Sequence, residues 1–254
     1  MSIIKILKHI QKRAELLVFR ARNIHKQSFV CPICQYKGPF ADFDVPTGLR
    51  INAQCPNCWS LERARIQYVV MKNILATVNT KSLKMLHFSP ESFFSNYFSS
   101  IFGQYDTADI IMDDVDFKVD IQDLPFSDES YDYVFASHVL EHVPDDDKAL
   151  SEIRRILRPN GIAILPVPLV TEKTVEYPEP NPYETYHVRA PGYDYFDRYE
   201  KYFSRVDKFS SDSLPPEFQL YIYEDRSQWP TKECPLRMAM TGEKHVDIVP
   251  VCHV

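Results

Sequence analysis

From residue 83 onward, short and nearly continuous apolar runs alternate with segments whose apolar residues recur every three or four positions. LKMLHF, YDTADI, FKVDI, YDYVFAS and IAILPVPLV have the length and composition of strands. PESFFSNYFSSIF and DDKALSEIRRIL have helical periods, and the turn RPNG ends the second. Strands this apolar, separated by helices, predict an α/β fold whose parallel sheet is covered on both faces. Two final strands are expected at SRVDKFSS and VDIVPVCHV, an antiparallel pair around a long irregular insertion.

The first 82 residues follow other periods. Ile3, Leu7, Ile10, Ala14, Leu17, Ala21 and Ile24 alternate spacings of four and three, which makes one apolar stripe along a helix. Lys5, Lys8, Lys12, Arg13, Arg20 and Arg22 fill other positions. Residues 1–26 hold four Lys and three Arg against one Glu, a sum of +6, so a net charge of −6 leaves −12 for the remainder. A basic amphipathic helix of this kind fits an apolar face of its own protein or of a sister chain, which would give a homodimer. The alternative is an anionic membrane surface. Residues 59–78 predict a second helix, with Ile66, Val69, Val70 and Ile74 facing inward.

Between these helices stand CPIC and CPNC. Cys31 and Cys34 are two residues apart, as are Cys55 and Cys58, with twenty residues between the pairs. Each short knuckle aims two thiolates at one point, and four sulfurs complete a tetrahedral site for Zn2+. A closed four-thiolate site has no open position for chemistry, so the expected zinc is structural. The domain plan is then a basic helix at 1–26, a zinc ribbon at 27–60, a connecting helix at 61–82 and an α/β domain at 83–254.

Composition narrows the picture further. A chain of 254 residues with 44% apolar content buries a sizeable core. The acidic bulk argues against DNA as a partner and weighs against RNA. No apolar run has the length of a membrane span, and no signal-peptide pattern opens the chain. Together with paired cysteines this predicts a cytoplasmic protein, peripheral at the inner membrane face if residues 1–26 touch lipid.

The first turn of the α/β region, HFSPE, has no glycine. Ser89 suits a helix N-cap, Pro90 the first helical position and Glu91 the first turn. That set either starts a helix and nothing more, or offers backbone N–H groups to an anionic ligand tail.

Residues 119–168, VDIQDLPFSDESYDYVFASHVLEHVPDDDKALSEIRRILRPNGIAILPVP, resemble the class I S-adenosylmethionine-dependent methyltransferases of the type 11 branch. CPIC and CPNCWSLER followed by LHFSPE resemble a sub-branch in which a zinc ribbon precedes the methyltransferase domain. The resemblance extends over residues 83–254 and departs from the family at the glycine-free turn. It implies a Rossmann-like, seven-stranded sheet and S-adenosylmethionine as cofactor. Carried over by position, Ser89, Pro90 and Glu91 meet the methionine end of the cofactor. Asp109 accepts the ribose hydroxyls, with Asp113 and Asp114 as alternatives, and Asp120 and Ile121 lie beside adenine. Ser137 is assigned to the cofactor with them.

On the acceptor side, His138 follows the fourth strand where the methyl should sit, with His142 one turn on. Asp145, Asp146 and Asp147 read as the capped start of the next helix. The segment from 176 to 203 is rich in tyrosine; His187 there is a candidate general base, and Arg189 a candidate fork for a phosphate or carboxylate. Alternatively the segment is a lid packed by its own tyrosines, with Arg189 paired to an acid such as Glu184. The resemblance implies methyl transfer to a small molecule, a hydroxyl of a sugar, nucleotide sugar or glycan-linked group. A protein or RNA methyltransferase using the ribbon to hold its target, and a non-catalytic adaptor, are the competing readings.

Overall fold

The computed structural model describes residues 3–45, 48–232 and 234–254. The chain divides into two compact units, each described separately below. The first comprises Met1–Lys72, Ser211–Asp225 and Gly242–Asp247, and the second Asn73–Ser210, Arg226–Thr241 and Ile248–Val254.

The first unit begins with helix α1, Ile3–Arg22. Of its predicted apolar stripe, Leu7, Ile10, Leu17 and Ile24 are all exposed. Leu16, one position off the stripe, packs instead against Phe29, Cys31, Tyr36, Phe40 and Cys55. Two antiparallel hairpins follow, Phe29–Val30 with Lys37–Gly38 and Ala41–Val45 with Gly48–Gln54. Helix α2, Glu62–Ile74, then buries Arg65 completely. The Arg65 guanidinium donates to the carbonyls of Ala53, Ser60, Phe218 and Gln219, and it lies 4.7 Å over the ring of Phe40. Those bonds are one reason residues 211–225 join the first unit although the chain order puts them after the α/β region. A buried guanidinium must have its donors satisfied, and carbonyls of the later segment satisfy several.

The second unit carries a seven-stranded sheet. Its strands are β1 Lys84–Phe88, β2 Gln104–Asp109, β3 Phe117–Lys118, β4 Tyr131–Ala136, β5 Leu157–Ile164, β6 Arg205–Ser210 and β7 Ile248–His253. Their order across the sheet is β6-β7-β5-β4-β1-β2-β3. Strands β1 to β5 are parallel, while β7 runs antiparallel to both β5 and β6, as the sequence predicts for the final pair. The order in which strands are added reverses between β1 and β4, and a crevice opens there at the carboxyl ends of the strands.

Period-two alternation explains why both faces are covered. On one face, Leu86, Phe88, Val134 and Ala136 share a core with Ala149, Leu150 and Ile153 of helix α4, Asp146–Ile156. On the other, His87 and Phe135 pack edge-on to each other, 5.1 Å between centroids, and both meet Phe98 of helix α3, Ser92–Ile101. Burying two residues of each parity makes β1 and β4 read as continuous apolar runs. The turn at RPNG sits inside a register shift between β4 and β5. Gly161 is required there, because a Cβ would stand 2.8 Å from the carbonyl of Arg158. Asp145 caps α4 by accepting the Lys148 N–H, matching the capping expected of the aspartate run.

Candidate functional site

A cavity of about 590 Å³ opens at the carboxyl ends of β1, β2 and β4. Its lining includes Phe88 and Ser89 after β1, Asp109 to Ile111 after β2, Val119 to Gln122 after β3, and His138, Val139 and His142 after β4. Thr185 and Tyr186 close it from the tyrosine-rich segment. The volume is that of a small-molecule site.

The glycine-free turn is accommodated by left-handed backbone. Ser89 has φ 48°, and its N–H donates to the carbonyl of Ala108 at 2.9 Å. His138 holds the equivalent position after β4, with φ 55° and its N–H on the carbonyl of Pro166 at 2.9 Å. A left-handed non-glycine residue costs about 1–2 kcal/mol, which the cross-strand bonds hold in place. The sequence reading put the N-cap at Ser89. In the structure α3 starts at Ser92 with Glu91 as its N-cap, and Glu91 makes no side-chain bond to the first turn. Ser89 instead turns its hydroxyl onto Asp109 at 2.5 Å. With φ positive at Ser89, the chain needs Pro90 and Glu91 to recover an extended approach to the helix.

Asp109 ends β2 and is 9% exposed. Burial alone would raise its carboxyl, but the Ser89 hydroxyl, the N–H groups of Met112 and Ile111, and the charge of Lys118 together hold it below the usual carboxylate range. Three of roughly four acceptor sites are therefore engaged by the protein. Asp113, weighed as its substitute, is exposed and paired with Lys118 at 2.6 Å. Asp120 accepts the Gln122 N–H at 2.8 Å and the Gln122 side chain at 3.0 Å, and Ile121 beside it is buried.

His138 lines the cavity with its Nδ1 3.4 Å from Oε1 of Glu141. Glu141 is 1% exposed; burial would raise its carboxyl, yet the His138 contact and the charges of His138, His187 and His142 bring it below the ordinary value. Ser137 is buried beside this turn and does not line the cavity. His187 also stands behind the wall, packing edge-on to His142 with 4.6 Å between ring centroids. Burial pushes its imidazole down to about 4.

Arg189, expected to fork onto an acceptor's phosphate or carboxylate, is 2% exposed and spends its donors inside the protein. It donates to the carbonyls of Leu140 at 2.6 Å, Val143 at 2.7 Å and Pro144 at 3.1 Å, and pairs with Glu176 at 3.0 Å. Its acid partner is Glu176 rather than Glu184, which is taken by Arg237 at 2.6 Å, Tyr177 and Asn181. The lid reading holds for much of the segment: Tyr195 bonds Asp146 and Tyr199 bonds the carbonyl of Leu165, both fully buried. Tyr183 and Tyr186 are exceptions, 59% and 66% exposed, and Tyr186 lines the cavity.

Ile110 and Ile111 were not singled out from the sequence. They are 57% and 79% exposed at the cavity lip, directly after the strand-end carboxylate of Asp109. They form an exposed apolar surface beside a carboxylate, and their adjacency to the aspartate was the available signal.

In the first unit the four cysteines converge. The Sγ atoms of Cys31 and Cys58, and of Cys34 and Cys55, are 3.6 Å apart, and all four lie within 4.8 Å of one another. Zinc–sulfur bonds of about 2.3 Å in a tetrahedron put sulfurs roughly 3.8 Å apart, so the donor set fits Zn2+. The two knuckles are copies. Cys31 and Cys55 donate their N–H groups to the carbonyls of Tyr36 and Ser60, and the residues after Cys34 and Cys58, Gln35 and Trp59, are both left-handed.

Among the described residues, no helix is long and apolar enough to cross a membrane. The family model described as "Methyltransferase domain" matches residues 103–165. An uncharacterised transposon protein of Streptomyces fradiae is 42% identical over 60 residues, 24% of this chain and 17% of that protein. A sterol 4-C-methyltransferase of Caenorhabditis elegans is 37% identical over 70 residues, 27% of this chain and 20% of that protein. The matched part thus spans about a fifth of the length of these curated relatives. An S-adenosylmethionine-dependent methyltransferase structure from Mesorhizobium loti superposes with a TM-score of 0.52 at 10% identity, covering 76% of this chain and 100% of that one. Residues 103–165 are thus similar to a methyltransferase domain, and the fold is that of the class I methyltransferase from Mesorhizobium loti.

Proposed function

We propose that this chain transfers a methyl group from S-adenosylmethionine to a hydroxyl of a small acceptor, a sugar or a glycan-linked group. The observation that carries the reading is the convergence of Ser89, Asp109, Asp120, Ile121 and His138 on one cavity at the carboxyl ends of parallel strands. When bound, the cofactor supplies an electrophilic methyl on a sulfonium. Asp109 receives ribose hydroxyls, sharing its carboxylate with Ser89, while Asp120 and the Ile121 backbone meet adenine across the seat of Ile110 and Ile111. Ser89, Pro90 and the start of α3 hold the methionine end, where N-terminal amide dipoles favour a carboxylate.

A hydroxyl acceptor must lose its proton as it attacks. Of the two histidines lining the cavity, His138 acts as the base, and buried Glu141 behind it stabilises the imidazolium that forms. Tyr186 and Thr185 give the acceptor end an aromatic face with a polar rim, suited to a sugar ring. Four thiolates hold Zn2+ in the ribbon, where it stabilises the first unit.

The test is ligand binding followed by turnover. S-adenosylhomocysteine should raise the melting temperature by several degrees. Asp109→Asn keeps an acceptor for the Ile111 and Met112 N–H groups but loses a charged one, so its affinity should fall about 10- to 100-fold, from roughly 1.5–3 kcal/mol. Labelled S-adenosylmethionine and a panel of sugars and nucleotide sugars then read the acceptor. No shift at millimolar ligand sinks the cofactor reading and favours an adaptor. Binding with label passing only to protein or RNA sinks the small-molecule acceptor.

A further inference from the structure

Glu141 sits in an environment that the proposed proton transfer does not use up. Its Oε1 faces His138, but its Oε2 is buried and meets no hydrogen-bond donor among the described residues. An unsatisfied carboxylate oxygen in the interior costs several kcal/mol unless a cation or donor reaches it. Two imidazoles are close. One ligand atom from each of Glu141, His142 and His187 lies within 4.8 Å of the others. Ligand bonds of about 2.1 Å put ligand atoms roughly 3–4.2 Å apart, inside the 4.8 Å limit that these three atoms satisfy.

His187 supports the same conclusion. Its Nδ1 is buried and lacks a hydrogen-bond partner, 3.7 Å from Glu184, which is already occupied by Arg237, Tyr177 and Asn181. Arg189 fixes the carbonyls of Leu140 and Val143 on either side of Glu141 and His142, so the short helical turn Leu140–His142 is held from behind. Two orphaned polar atoms, a rigid support and a two-histidine, one-carboxylate donor set describe a site built for an ion.

We propose that Glu141, His142 and His187 bind a divalent transition-metal ion at the acceptor end of the cavity. Three protein ligands leave coordination positions open, and His142 lines the cavity, so an acceptor oxygen can complete the shell. This role, unlike the site itself, rests on the methyltransferase reading. A hydroxyl bound to the ion ionises more readily and passes its proton to His138. Its oxygen lone pair then forms the bond to the methyl carbon, and the electron pair of the broken sulfur–methyl bond stays on sulfur.

The probe is Co2+ added to the full chain with zinc already in the cysteine cluster, followed by visible absorption and by metal counting. The wild type should take up a further equivalent with a weak d–d spectrum and no thiolate-to-cobalt band. His142→Ala and His187→Ala should each weaken that uptake by more than about tenfold. Absence of uptake by the wild type at millimolar Co2+ overturns the proposal and needs no variant. So does uptake that survives both substitutions, or a structure showing only water between the three side chains. Cobalt binding without S-adenosylhomocysteine binding upholds the site and removes the methyltransferase reading. Methyl transfer by a chain that binds no cobalt does the reverse.

Discussion

His87 should make this protein acid-labile by a calculable amount. It lies on β1, 0% exposed, with Phe98 and Phe135 edge-on and its Nδ1 2.8 Å from the Tyr105 hydroxyl. Its Nε2 has no partner among the described residues, so a second proton there would be buried unsolvated. Burial accordingly lowers its imidazole from 6.5 to about 3. The unfolded chain therefore binds a proton below about pH 6.5 that the folded chain refuses until about pH 3. The stability that neutral His87 contributes is whole above pH 6.5 and is lost progressively as pH falls through that window. At pH 5 the loss is about 2 kcal/mol, against about 0.2 kcal/mol at pH 7. For a chain of this size that is roughly 4–8 °C in melting temperature. His187 is lowered by burial as well and adds a similar loss, so the comparison must be between wild type and His87→Leu. Thermal unfolding of both at pH 7 and pH 5 reads the difference. The variant should lose about 4–8 °C less than the wild type over that interval. Equal losses in the two proteins would show that His87 takes up its proton without unfolding, and would refute the argument.

Two further outcomes follow from charges and thiolates. Arg189→Met leaves three carbonyls without their donor and Glu176 with Arg198 alone, so denaturant unfolding should show a loss of about 3–5 kcal/mol. Arg189→Lys should recover only part of it, because an ammonium cannot span the Leu140, Val143 and Glu176 acceptors as a planar fork does. Removing zinc with a strong chelator, or Cys31→Ser, should open residues 27–60 to limited proteolysis, since Cys31 and Cys55 are also part of that unit's small core. Unchanged resistance after verified metal removal would show that the hairpins stand without the ion.

What was legible in the sequence was local or periodic. Continuous apolar runs named the central strands because both parities of β1 and β4 are buried, one under α3 and one under α4. The repeated Cys-Pro-x-Cys spacing named a four-sulfur cluster because each knuckle is closed by bonds within six residues. The strand-end carboxylates could be named because the carboxyl ends of parallel strands share one crevice. Tertiary structure decided the rest. A guanidinium carries five donors but no address, and the carbonyl partners of Arg189 lie 45 to 49 residues upstream. The stripe on α1 has the period of a docked face, yet whether any apolar surface of this chain covers it depends on where the ribbon core lies, and that core takes Leu16 instead. Glu141, His142 and His187 form a group only after the tyrosine-rich segment folds back against the turn following β4. Backbone periodicity is set by neighbours a few bonds away, whereas the company a polar side chain keeps is set by which distant segments must share the interior with it.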